Sequence, residues 1–262
     1  MIRGLLSLCL ALLATAALPV RASQPPAPGV ATAVDSDATC MIAVSMAGAR
    51  FGNDPTFMGA QHDQAVAALR DSMFFYAGRL SLRYPGDALD RAVIAADNAL
   101  PRDRWMGVSA TCMDEFSPSV PNLGRELNQA LEAAGVRRDG PQPAPTPADA
   151  ASLDPDLICV AIFIHARRVI AGQGAAATAN ETAALPRLVT GTVFYSSRAL
   201  ARLPAATRGA LFATTLRSIR DDQRTDIFRQ CASRMSAEMA RITRAAAAAG
   251  AQETASPHPT GQ

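Results

Sequence analysis

Two rows of aromatic and basic side chains are the residues best placed by type and spacing to do chemistry. Asp71–Arg83 reads DSMFFYAGRLSLR and Thr190–Arg202 reads TGTVFYSSRALAR. In the first, Phe75 and Tyr76 are followed by Arg79 and Arg83; in the second, Phe194 and Tyr195 are followed by Arg198 and Arg202. Residues four apart share a helix face, so each stretch stacks an aromatic ring, an arginine and a second arginine along one side of a helix. Two guanidinium forks beside a phenol could hold a carboxylate or another anion. The same row also suits an internal role, with arginine stems packed over rings and the guanidinium groups paired with Asp, Glu or helix-end carbonyls. The structural role is the expected one, because a charged pair kept on the aromatic side of both helices is not a free surface.

Other chemistry does not assemble. The three histidines, His62, His165 and His258, stand apart from any second ligand type, so no metal site is expected. Asp35 and Asp37, with Asp154 and Asp156, are expected to cap helices: the first of each pair at the N-cap, the second facing the positive end of the helix dipole. Asp114 and Glu115 resemble an acid/base pair, but Ser233 and Arg234 stand at the equivalent places later in the chain, and a solvated face is expected instead. Ser109 between Gly107 and Thr111 lacks the second glycine of a nucleophile elbow. No phosphate loop or dinucleotide fingerprint is present, so no cofactor is expected and the chain does not read as an enzyme.

What must position these residues is a tandem duplication. Phe75, Tyr76, Arg79 and Arg83 recur 119 positions later, and the same offset carries Asp35, Asp37 and Cys40 onto Asp154, Asp156 and Cys159, and Cys112 onto Cys231. Residues 1–22 read as a secretory signal, with Arg3, an apolar Leu5–Ala17 stretch and Val20-Arg21-Ala22 before the cleavage point. Residues 23–34 read as a disordered lead-in, 35–136 as the first helical repeat unit, 137–153 as a Pro-rich linker, 154–249 as the second unit and 250–262 as a polar tail. The net charge of +2 includes Arg3 and Arg21, so the chain after residue 22 is near neutral. A neutral chain has no global electrostatic footprint for nucleic acid. Every basic residue among Lys and Arg is Arg.

Strand signals are nearly absent, and the expected fold is all-α: two tandem units of four or five helices. The aromatic–arginine helices are expected over about Asp63–Tyr84 and Glu181–Leu203, with Pro186 moving the start of the second toward residue 185. Loops are expected over Gly48–Ala60 and Ala171–Asn180, and further helices over Ala88–Leu100 and Ala205–Arg220. In the first unit Ser117–Pro121 is expected to break the chain between helices at Asp103–Phe116 and Leu123–Ala134. The second unit has no proline there, and one long helix is expected over Asp222–Ala248. Independent folding of the two units is expected, with a shared core as the alternative.

Setting Cys9 aside in the signal leaves four cysteines, and Cys40 to Cys112 and Cys159 to Cys231 are both 72 residues apart. If the ancestral unit folded alone, those are the pairs. A crossed arrangement, Cys40–Cys231 with Cys112–Cys159, also respects a two-fold relation. Closing a loop of this length contributes roughly 4 kcal/mol in the chain-entropy model.

The pattern Cys … Phe-Tyr-x-x-Arg … Cys, at Cys40, Phe75, Tyr76, Arg79 and Cys112 and again at Cys159, Phe194, Tyr195, Arg198 and Cys231, resembles a group of small exported bacterial helical proteins of no assigned function. The resemblance implies an exported, periplasmic or secreted helical fold and contributes no activity; this chain differs in having two units. The disulfide-tied helical build also looks like periplasmic acid-stress chaperones and toxin-immunity proteins, with no motif residue to carry over. The functional expectation is a non-enzymatic protein that binds another envelope component, with a chaperone-like or immunity-type role as the alternative. No transmembrane segment is expected after residue 22: Leu157–Ile164 is the longest apolar run, and Arg167-Arg168 ends it.

Overall fold

A computed structural model describes residues 34–54, 56, 58–133 and 153–255. The expected signal, the expected linker up to residue 152 and the end of the expected tail lie outside the described residues. Among the described residues there are eight α-helices, three short 3-10 turns and no strand. The first half contributes α1 (Ser36–Gly52), α2 (His62–Arg83), α3 (Asp87–Ala99) and α4 (Trp105–Ala133). The second contributes α5 (Pro155–Gln173), α6 (Ala179–Arg202), α7 (Ala205–Ser218) and α8 (Arg224–Ala255).

Local rules set the first helix of each half. Asp35 accepts from the backbone N–H of Asp37 and Ala38, and Asp154 accepts from those of Asp156 and Leu157, so two of the N–H groups a helix start leaves unpaired are satisfied. Both helices are then apolar nearly all round and run through the middle of their half: Ala38, Met41, Val44 in one, Leu157, Val160, Phe163 in the other, are buried. The segment Pro155–Ala176 is long and apolar enough to cross a membrane by length and composition. Here the apolar side chains of its first part, among them Leu157, Val160 and Phe163, are protein core in the cluster with Tyr195, Phe212 and Phe228, while Val169 further along is 47% exposed.

Three boundaries differ from the sequence expectation. α4 is one helix through Pro118 and Pro121 rather than two. A proline in a helix interior costs about 3 kcal/mol or more, but Leu123 and Leu127 beyond it are buried in the other half's core, and two such side chains return about 1.5–3 kcal/mol each. The hydroxyls of Ser117 and Ser119 also donate to the carbonyls of Met113 (2.7 Å) and Glu115 (2.8 Å), bracketing the first proline. α6 begins at Ala179, well before Pro186, because Thr178 and Glu181 form a capping box: the Glu181 N–H donates to Thr178 Oγ1 at 3.2 Å and the Thr178 N–H to Glu181 Oε2 at 2.8 Å. α8 continues to Ala255, into the stretch expected as tail, after a run of five alanines at 245–249 that favours helix over coil. α1 also runs five residues into its expected loop, to Gly52, and α5 three residues into its own, to Gln173.

The halves pack through equivalent helices. Thr190 Oγ1 donates to Asp71 Oδ1 at 3.1 Å, and these residues are 119 apart, so they are the same position in the two copies. Seven residues on, Gly78 lies against its own equivalent, Ser197: a Cβ on Gly78 would collide with Ser197 Oγ and come within 2.5 Å of the Phe194 carbonyl oxygen. Equivalent residues meeting at two successive levels require α2 and α6 to run parallel about a pseudo-twofold axis. Gly78 is glycine because backbone approaches backbone there.

The long last helices then cross over. Ile242 and Ala245 of α8 belong to the apolar cluster built around Val44, Tyr76 and Leu89 of the first half. Leu123 and Leu127 of α4 belong to the cluster built around Val160, Tyr195 and Phe212 of the second. Each cluster is thus completed by the far end of the other half's last helix.

Candidate functional site

The disulfides fix the frame around both arginine rows. Cys40 is bonded to Cys112 and Cys159 to Cys231, the pairing the duplication implies, with Cα atoms 5.6 and 5.5 Å apart. Tyr76 Oη donates to the carbonyl oxygen of Cys112, and Tyr195 Oη to that of Cys231, both at 2.7 Å. Each phenol is fully buried, and burial pushes both hydroxyls above the ordinary tyrosine range, so they stay protonated donors. The Phe-Tyr pair therefore locks the aromatic helix to the disulfide end of the fourth helix.

The arginines point at the helix caps. Asp37, 2% exposed, receives Arg79 Nε at 3.0 Å and Arg83 Nη2 at 2.5 Å, and Arg83 also reaches Asp35 at 2.9 Å. Asp156, 1% exposed, receives Arg198 Nε at 3.0 Å and Arg202 Nη2 at 2.6 Å, and Arg202 reaches Asp154 at 2.7 Å. The guanidinium groups of Arg79 and Arg198 also lie over the rings of Phe75 (5.5 Å) and Phe194 (5.8 Å). Burial pushes the Asp37 carboxyl above the ordinary range, with Arg79 and Arg83 pulling it back. Each of these four arginines already faces a carboxylate, so an incoming anion would have to displace one.

Glu115 is not only a solvated residue: its carboxylate takes Arg79 Nη1 at 2.6 Å. Its equivalent Arg234 instead donates to Asp156 at 2.8 Å and lies over Tyr195 at 4.8 Å. His165 is half-buried beside Arg224 at 3.0 Å; burial first and then the nearby Arg224 charge hold its pKa below the usual histidine value. Among the described residues no group of three or more His, Cys, Asp or Glu is placed to hold a metal ion.

The hollow that sequence reasoning missed lies elsewhere. A pocket of about 340 Å3 opens in the first half between the end of α1, the start of α2 and the start of α4. Phe51, Leu69, Trp105, Met106, Ser109 and Met113 line it together with four alanines. The alanines leave the space, and the Phe51 and Trp105 rings, tilted with centroids 6.3 Å apart, form one wall. Met106 is 57% exposed. No protein-family model, curated protein or solved structure matches this chain. The chain's own second copy is therefore the comparison that remains.

The equivalent of Ser109 is Phe228, whose ring packs edge-on against Phe163 with centroids 5.5 Å apart. The equivalent of Trp105 is Arg224, which reaches Asp221 at 2.7 Å and His165. Where the second half places a ring and an ion pair, the first has a serine and an open apolar wall. A sequence signal for this existed: at the 119-residue offset, Ser109 and Trp105 are among the lining positions that depart from their equivalents, here Phe228 and Arg224, as Ala68 and Ala110 do from Arg187 and Arg229.

Proposed function

We propose that this chain is a non-enzymatic binding protein of an oxidising compartment outside the cytoplasm, periplasmic or secreted, and that its recognition position is the open pocket of the first half rather than either arginine row. The observation that carries the reading is the contrast between Ser109 in an apolar hollow and Phe228 packed into the equivalent place. Pockets that bind small ligands are concave, mostly apolar and few per protein. The lining holds no titratable side chain, so it offers no general acid, general base or ionised nucleophile. The buried carboxylates Asp37 and Asp156 are each engaged by two or more arginines. Both disulfides tie the first helix of a half to the fourth, which suits a rigid frame in an oxidising compartment.

The test is native mass spectrometry of the full chain, purified from an oxidising compartment under non-denaturing conditions. The expected result is a bound adduct in the wild type that is lost in Ser109→Phe, a substitution that copies the second half's residue into the first. An adduct retained by Ser109→Phe, or lost equally in Arg79→Ala, would overturn the placement.

A further inference from the structure

The pocket's lining also restricts what enters it. We infer that it takes an uncharged hydrocarbon group of about a dozen carbon atoms, and that Ser109 is the residue whose small size admits it; this rests on the binding reading above. The size follows from the cavity. A dry apolar cavity of about 150 Å3 accommodates benzene, so the 340 Å3 here holds a group of roughly twice that size. The polarity follows from the walls. Alanine, leucine, methionine, phenylalanine and tryptophan side chains dominate, and a charge or an unpaired hydrogen-bonding group placed among them would lose its water without replacement.

Two features shape the fit. Met106 and Met113 are unbranched thioethers that adapt to irregular apolar surfaces and make favourable contacts with ring edges. Trp105 and Phe51 supply flat apolar wall at little conformational cost. An alkyl chain and a fused aromatic ring present the same chemistry to these walls, and the experiment separates them. In the second half the Phe228 ring, against Phe163, already supplies such a group from within the chain. The ligand of the first half is thus the external counterpart of an internal side chain.

Trp105 is the only tryptophan in the chain and lines the pocket, so its emission reports occupancy directly. The full disulfide-bonded chain is titrated separately with 1-decanol and with naphthalene, following Trp105 emission, with inorganic phosphate as a third arm. The expected result is a saturable change with at least one hydrocarbon and none with phosphate. Decanol alone identifies an alkyl chain, naphthalene alone an aromatic ring, and both the shared hydrocarbon chemistry. In Ser109→Phe the affinity falls by at least about tenfold, while cooperative melting by circular dichroism is kept. Should that variant fail to fold, Ala68→Leu fills the same hollow from α2 and is read the same way. Wild type that responds to neither hydrocarbon, or plugged variants that bind like wild type, overturns the inference. A native adduct that Ser109→Phe loses, in a protein that ignores both hydrocarbons, overturns the hydrocarbon class alone. Absence of both responses overturns the pocket as a binding position as well.

Discussion

Glu115 in the first half and Arg234 in the second occupy equivalent places and act in opposite senses. Glu115 gives Arg79 a second carboxylate, whereas Arg234 gives Asp156 a third guanidinium. The first cluster has Asp35, Asp37 and Glu115 against Arg79 and Arg83, a net −1; the second has Asp154 and Asp156 against Arg198, Arg202 and Arg234, a net +1. A similar exchange occurs where the last helices cross. Leu89 and Ala245 are buried apolar positions in one half, while their equivalents Arg208 and Glu126 face each other at 3.4 Å in the other. The elements both halves keep are the cap, the disulfide, the Tyr-to-carbonyl bond and the arginine pair on a buried aspartate. All of these hold a helix in place. The elements that differ lie at the pocket, at the crossings and at Glu115 and Arg234 beside the arginine pairs.

The largest effect expected from breaking this comparison comes from separating the halves. Leu123 and Leu127 are buried in the second half's core, and Ile242 and Ala245 in the first half's. Losing apolar burial of about 1.5–3 kcal/mol for each larger side chain is comparable with the whole stability of a small domain. Residues 34–136 and 153–255, expressed separately in an oxidising compartment, should each melt without cooperativity and regain a cooperative transition on mixing. Cooperative melting of either fragment alone would show that each core stands without its neighbour.

A smaller effect separates the two arginine clusters. Arg79→Ala strips the buried Asp37 of one of two arginine partners, and a loss of about 2–4 kcal/mol is expected from urea unfolding. Arg198→Ala leaves Asp156 with Arg202 and Arg234, so its loss should be real but smaller. Melting unchanged or raised in both variants would mean that the arginines are not held by these carboxylates and would reopen the row as an anion site.

Much of this was legible in the sequence, and the reasons differ by element. The caps at Asp35 and Asp154 follow from residue type one position before an apolar helix, a local rule. The disulfide pairing was favoured by a single repeated spacing of 72 residues, while the crossed arrangement, equally consistent with a two-fold relation, was excluded only by the structure. The continuous α4 was not legible, since what offsets Pro118 and Pro121 is burial of Leu123 and Leu127 among residues 30 or more positions away in sequence. Nothing local in α2 announced its parallel contact with α6, and Gly78 stands out only once Ser197 is seen against it. The pocket needed both copies in view, because Ser109 alone is an unremarkable helix residue.

The smallest effect expected is on acidification. A carboxyl whose folded pKa is raised binds its proton more tightly folded than unfolded, so its contribution to stability grows as pH falls through the folded pKa toward the ordinary value near 3.8. Asp37 is such a group, with burial as the cause. The stability difference between wild type and Asp37→Asn, read from urea midpoints, should therefore move in favour of wild type between pH 7 and pH 4. A shift in favour of the variant would mean that the arginines, not burial, set the Asp37 proton affinity.

The central claim is that equivalent places in the two halves are open in one and filled in the other. Xenon enters apolar cavities without needing a specific ligand, so diffraction from crystals of the full chain held under xenon tests the claim most directly. The account predicts xenon density in the first half beside Trp105 and Met113, and none beside Phe228. Equal occupancy in both halves, or density beside Phe228 with none beside Trp105, would contradict it.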